Sequence, residues 1–287
     1  MVNIHIYVIQ YTKCEPLKIT NVNELRKLVK QFNFKGNGTQ QNPYVIENLY
    51  VIVGALHDAM VFENITDYCV ITHCIIEYEK NPCERSLMDG IYLKQCANFV
   101  IEHNVIKYTF RGINVQECRN IIIKNNHYIG TDDAKCGILV NGSNNFVIGN
   151  VCMNANYGIS ISTRTYAFVC LNHCIDNIKC GMYATGGNYI VMSYNVVIRC
   201  QHLSLSTSNT KTAMVSNNVF AYNTTEEKTV VQYGIAVMHK TILWYNVFYL
   251  HAKYNPYMLT KTFTSDRLII INNIICGPNT ILVGEFD

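Results

Sequence analysis

One pattern limits this chain more than any other: an asparagine that returns about every 23 residues, at Asn104, Asn126, Asn150, Asn172, Asn195, Asn218, Asn246 and Asn273. Successive spacings are 22, 24, 22, 23, 23, 28 and 27 residues. A second column runs in step with it and opens a short apolar segment: Gly90-Ile-Tyr-Leu, Gly112-Ile-Asn-Val, Gly137-Ile-Leu-Val, Gly158-Ile-Ser-Ile, Gly181-Met-Tyr-Ala and Gly234-Ile-Ala-Val, with Ser204-Leu-Ser-Thr filling the gap. From opening residue to asparagine the distance holds at 12–14 residues, whereas from asparagine to the next opening residue it runs from 8 to 16. Insertions therefore share one corner of the repeat, at residues 79–89, 129–136, 221–232 and 250–257. A unit this short buries its apolar face only by stacking on its neighbours, so the array is one structural body whatever its length.

Each repeat holds three short β segments: the Gly-led one, one ending at the asparagine (Phe99-Val-Ile, Ile121-Ile-Ile, Leu268-Ile-Ile) and one just after it (Val105-Ile, Val196-Val-Ile, Val247-Phe-Tyr). Ile, Val and Tyr suit pleated buried surfaces, and only 15% of residues are charged. The expectation is an all-β right-handed parallel β-helix with three parallel sheets and about nine to ten coils. Coils in such a stack sit about 4.8 Å apart, so the asparagines lie above one another and bond into a ladder with the turn backbone. At the N-terminal end, Asn21 and Glu24 resemble a capping box, and Val22, Leu25, Leu28, Val29 and Phe32 make one stripe at helical spacing. Residues 1–44 are thus read as a strand and capping helix, and residues 45–287 as the β-helix. After Asn273 only 14 residues remain. That end of the stack is expected to be covered by self-association or by a partner protein through residues 258–287.

A formal charge of +3 over 287 residues, with no cluster of Lys and Arg, does not indicate electrostatic nucleic-acid binding, and no nucleic-acid partner is expected. No run approaches the roughly 18 apolar residues of a membrane span, and the alternating first 18 residues do not read as a signal peptide. The expected location is the cytoplasm, or a virion if the source is viral. Thirteen cysteines include no C-x-x-C pair, and the odd number leaves at least one free or paired between chains. Cys96 and Cys118, and Cys152 and Cys174, hold matching positions in adjacent coils and read as stacked free thiols, because parallel side chains keep Cβ atoms too far apart for a disulfide. His127 and His173 sit two coils apart, about 9.6 Å, too far to share a metal ion. No metal site is expected.

The Gly-Ile-x-Val and asparagine repeats, with Gly36-Asn-Gly-Thr-Gln-Gln-Asn-Pro-Tyr-Val-Ile-Glu-Asn48 at the first coil, resemble the pectate-lyase-like β-helix superfamily, especially its NosD-like repeat branch. The resemblance covers residues 34–276. It implies the fold, while the superfamily ranges from polysaccharide lyases and glycosidases to viral attachment proteins.

In families of this fold carbohydrate usually lies along the outer face of the Gly-led sheet. With Ile91, Ile113, Ile138 and Ile159 inward, alternation turns Tyr92, Asn114, Leu139, Ser160, Tyr183, Ser206 and Ala236 outward, followed by Lys94, Gln116, Asn141, Ser162 and Thr185. The face is polar, nearly uncharged and carries two tyrosines, which suits hydrogen bonding and stacking with sugars. Glycoside hydrolysis needs two carboxylates about 5–9.5 Å apart, and this face offers none; acids stand only at its borders. Thr131-Asp-Asp-Ala-Lys-Cys136 matches the polygalacturonase Asp-Asp motif in part, since Arg111 replaces the third carboxylate and no Gly-His-Gly follows. A lyase would use Arg or Lys as base and commonly Ca2+. Asp89 and Arg111 occupy one coil position and should stack as an ion pair. With Asp132 and Asp133 they are the candidate catalytic group, and Tyr92, Lys94, Asn114, Gln116, Glu117, Asn141, Arg164 and Tyr183 are the candidate substrate-binding residues. Two functions follow: a non-catalytic scaffold that recognises carbohydrate or a partner, or a polysaccharide lyase or hydrolase. The missing carboxylate pair favours the first.

Overall fold

In the computed structural model the inward–outward alternation of each segment closes the chain into a parallel β-helix. The structure describes residues 10–54, 57–79, 88–200, 203–208, 211–224, 233–237, 241–252, 257–261, 268–276 and 281–283. Among these residues lie three sheets of 11, 11 and 10 strands, each strand bonded to the one three places on, which makes ten complete coils. The Gly-led sheet begins at Leu17–Ile19, the middle sheet at Tyr44–Glu47 and the third, which follows the asparagines, at Thr12–Cys14. Every sheet pairing is parallel and nearly every one is in register, so one apolar column stacks Ile91, Ile113, Ile138, Ile159 and Met182, all buried.

Why glycine opens the repeat is visible in its surroundings. A Cβ on Gly90, Gly112, Gly137 or Gly158 would come within 2.5–2.7 Å of the carbonyl oxygen of the next glycine in the column. The same Cβ would meet the side chains of Ile106, Tyr128, Cys152 and Cys174 respectively. The column is therefore fixed by packing of one coil on the next.

The asparagine ladder is continuous. From Asn104 to Asn273 each Nδ2 donates to the Oδ1 of the next asparagine at 2.9–3.0 Å, and each backbone N–H donates to that same oxygen. The residue before each ladder position is left-handed, from His103 (φ 55) and Asn125 (φ 54) to Tyr245 (φ 51) and Asn272 (φ 51). That sharp corner turns the backbone amides inward, where only a side chain with both donor and acceptor satisfies them.

The helix runs Val22–Gln31. Asn21 Oδ1 accepts from the N–H groups of Asn23 and Glu24, both at 3.1 Å. Glu24 reaches back as a capping box would, but to the N–H of Thr20 at 2.7 Å, one residue before the cap. Leu25, Leu28 and Val29 join the core, with Phe32 and Phe34 packed beside them. Lying in the chain between the first strands of the Gly-led and middle sheets, the helix closes that end of the core.

The eleven cysteines whose side chains are described are free, and ten of them are buried. Cys152 and Cys174 stand opposite each other in register, and the Cys96 N–H donates to Cys118 Sγ at 3.2 Å. The expected association through residues 258–287 falls partly outside the described residues, 262–267, 277–280 and 284–287 being among those not described. So do the centres of the insertions at 79–89, 221–232 and 250–257.

Candidate functional site

The outer face of the Gly-led sheet carries the two columns that alternation predicts. Tyr92, Asn114, Leu139, Ser160, Tyr183 and Ser206 stack in register, continuing to Ala236, and Lys94, Gln116, Asn141, Ser162 and Thr185 form the next column. Tyr183 packs edgewise on Tyr157, with centroids 6.0 Å apart.

Asp89 and Arg111 come together as expected, but the contact is not a surface one. Arg111 Nε donates to Asp89 Oδ1 at 2.6 Å while its guanidinium lies 5.5 Å from the Phe110 ring centre. Asn114 Nδ2 donates to Asp89 Oδ2 at 2.5 Å, so both carboxylate oxygens are engaged in a side chain only 3% exposed. Burial raises the Asp89 pKa above its ordinary value, and Arg111 and then Asn114 oppose it without cancelling it. The bonding continues along the face: Gln116 Nε2 donates to Asn114 Oδ1 at 2.7 Å, and Asn141 Nδ2 donates to Gln116 Oε1 at 3.4 Å. Three neutral amides over two coils are thus oriented by one buried carboxylate.

The expectation that this face lacks carboxylates is corrected one coil earlier. Glu63 stands beside Lys94 on the face, and Asp58 Oδ1 accepts the backbone N–H of Asp89 at 2.6 Å. Both line a cavity of about 480 Å³ with Lys18, His57, Met88 and Tyr92. Asp58 holds the coil position of Asp89 and Arg111, because Ala59 donates to the Asp89 carbonyl just as Met60 pairs with Ile91. The column signal missed it because Ala59, not glycine, opens that strand.

The remaining predicted residues separate from this group. Glu117 is left-handed (φ 56) at a bulge between Gln116 and Cys118, where the alternation breaks. It turns off the face, accepts a hydrogen bond from Gln95 at 3.0 Å, and lines a second cleft with Arg164. Asp132 and Asp133 lie in an exposed turn after His127–Ile129; the turn is held to the previous coil where Lys135 and Cys136 donate to the Phe110 carbonyl. Lys94 is exposed.

No described group of three or more His, Cys, Asp and Glu side chains is placed to hold a metal ion. The paired imidazoles, His73 and His103, stack with centroids 5.3 Å apart and planes 18° from parallel. A metal ion bonds in the plane of an imidazole, and nearly parallel planes at that separation do not meet at one ion. These donors do not fit copper. Among the described residues no helix is long and apolar enough to cross a membrane.

The family described as "Periplasmic copper-binding protein (NosD)" matches residues 35–232. A mutant tailspike protein of E. coli bacteriophage HK620, solved in complex with a pentasaccharide, is similar over 81% of this chain and 48% of its own, at 11% identity and a TM-score of 0.61. The chain thus spans about half the tailspike's length, and at that identity the likeness shows the fold. An exopolygalacturonase from Thermotoga maritima is matched over 79% of this chain and 52% of its own (14% identity, TM-score 0.34). The catalytic domain of an alpha-1,3-glucanase in complex with nigerose is matched over 96% and 68% (9% identity, TM-score 0.44). No curated protein matches the sequence.

Proposed function

The chain belongs to the NosD family of β-helix proteins, and from that footing we propose that it is a non-catalytic rod recognising carbohydrate along the outer face of its Gly-led sheet. The observation that carries this reading is the state of Asp89: Arg111 and Asn114 occupy both oxygens of a buried carboxylate. With each oxygen already bonded and the side chain shut away from solvent, this carboxylate is not presented to a sugar, and it serves to orient Asn114, Gln116 and Asn141. Fixed amides beside the partly exposed rings of Tyr92 and Tyr183 match what a neutral saccharide presents, hydroxyl groups on its edges and C–H groups on its faces. Tyr92, Lys94, Asn114, Gln116, Asn141 and Tyr183 are the contact residues of this proposal. Neither cofactor nor Ca2+ enters it. The family is described as periplasmic, and fractionation of the source tests whether this chain shares that location.

One observation favours the enzyme reading as second: Asp58 and Glu63 are partly exposed carboxylates beside the 480 Å³ cavity. The test is a glycan array, followed by calorimetry on any hit and by reducing-sugar and unsaturated-uronide assays. Tyr92→Ala and Asn141→Ala should each weaken binding about tenfold, near 1.4 kcal/mol, with unchanged melting and no sugar released. Turnover that Asp58→Asn abolishes would establish the enzyme instead, and an array without hits would remove the carbohydrate reading.

A further inference from the structure

Five arginines lie among the described residues, and three of them, Arg26, Arg111 and Arg199, are paired with carboxylates. The other two, Arg119 and Arg164, have no acidic partner among the described residues and line the same cleft, of about 300 Å³. The cleft sits at the corner after the Gly-led strands, off the face described above. Arg119 pairs in register with Ser143, and Arg164, which donates from its backbone to the Gly142 carbonyl, stands one coil further on. Two arginines therefore line one opening, with the serine's coil between theirs.

Next to Gly142, one of the lining residues, is a buried amide that does not itself line the cleft. Asn145 is 1% exposed, and its Oδ1 accepts from the Ile121 N–H at 3.1 Å, but its Nδ2 has no partner. A buried amide donor left unpaired costs about 1–3 kcal/mol, and native structures rarely keep one without a use. This Nδ2 lies 3.0 Å from the point where a Cβ on Gly142 would be, and Gly142 is a lining residue. The acid of the cleft, Glu117, is engaged by Gln95, and two cations against one anion leave the opening positive.

We infer that this corner cleft is a binding site for a single oxyanion group, a carboxylate, sulfate or phosphate, held between Arg119 and Arg164. Planar guanidinium groups match such oxygens with paired hydrogen bonds, and the volume admits a free ion or one acidic sugar residue. The inference goes beyond the proposed carbohydrate face and does not depend on it.

The full chain would be titrated with sodium sulfate, sodium phosphate, sodium glucuronate and glucose at constant ionic strength held with sodium chloride, following melting temperature and heat of binding. Oxyanions should raise the melting temperature saturably at low-millimolar concentration and glucose should not. Arg119→Gln and Arg164→Gln, both at exposed positions, should each weaken the response at least about fivefold, and the double variant should abolish it. A tighter response to glucuronate than to the free ions assigns the site to an acidic sugar; the reverse assigns it to a free ion. An unaltered response in the double variant, or one that follows ionic strength alone, overturns the inference. Sulfate binding in a protein that binds no glycan would leave this site standing and remove the carbohydrate proposal, whereas glycan binding retained by a double variant blind to oxyanions would show the two sites to be separate.

Discussion

Replacing Asn150 by alanine isolates one rung of the ladder at the centre of the stack. The Asn150 side chain is fully buried and makes five hydrogen bonds: Nδ2 donates to Asn172 Oδ1, Ile123 O and Ile148 O at 2.9–3.1 Å, and Oδ1 accepts from Asn126 N–H at 2.9 Å and Asn126 Nδ2 at 3.0 Å. These losses are unequal. Asn126 Nδ2 keeps the carbonyls of Ile101 and Lys124, at 2.8 and 3.1 Å. The Asn126 N–H has no substitute and is stranded, at about 1–3 kcal/mol, with about 1 kcal/mol more for the severed links. The expected cost is roughly 2–4 kcal/mol, read as a lower denaturation midpoint at unchanged slope in circular dichroism. Asn150→Asp should also destabilise at neutral pH, because a carboxylate still accepts from Asn126 but sets an anion against Asn172 Oδ1. Asn273→Ala, at a rung that is only half-buried, should cost less than Asn150→Ala. An Asn150→Ala midpoint equal to wild type would refute the reasoning, for it would mean that the turn amides find other partners.

Two further predictions concern charge and thiols. Arg111→Ala should destabilise the fold by about 3–5 kcal/mol by leaving Asp89 buried and unpaired, with partial recovery on acidification because the burial that raises the Asp89 pKa favours its neutral form; a variant as stable as wild type at pH 7 would make the pair superficial. Burial pushes Cys74, Cys136 and Cys200 up to about 12. A raised folded pKa means a contribution fully present below pH 9 and lost as the pH climbs from 9 towards 12. A thiol reagent at pH 8 should find no more than three of the thirteen cysteines in the native protein, thirteen less the ten buried, and all thirteen after denaturation; rapid labelling of all of them would contradict the packing.

The periodic part of this protein was legible in its residues. Two columns of fixed spacing determined three sheets, the register of every face residue from Tyr92 to Thr185, and a ladder whose rungs bond as stacked asparagines must. The reason is geometric: coils that repeat at one strand spacing turn sequence position into spatial position. Where the period fails, only the tertiary structure decides. Asp58 escaped notice because its strand opens with Ala59, so no glycine marked the coil. Glu117 left the face because a left-handed residue at a bulge breaks the alternation of side chains. The role of Asp89 turned on burial, since the same aspartate and arginine, exposed, would be a weak surface pair. Enclosed against Phe110 and Asn114, they become a fixed anchor for the amides beside them. A sequence states which residues share a column, but how deeply a column is covered depends on segments far apart in the chain, and it is coverage that sets the strength of a charge.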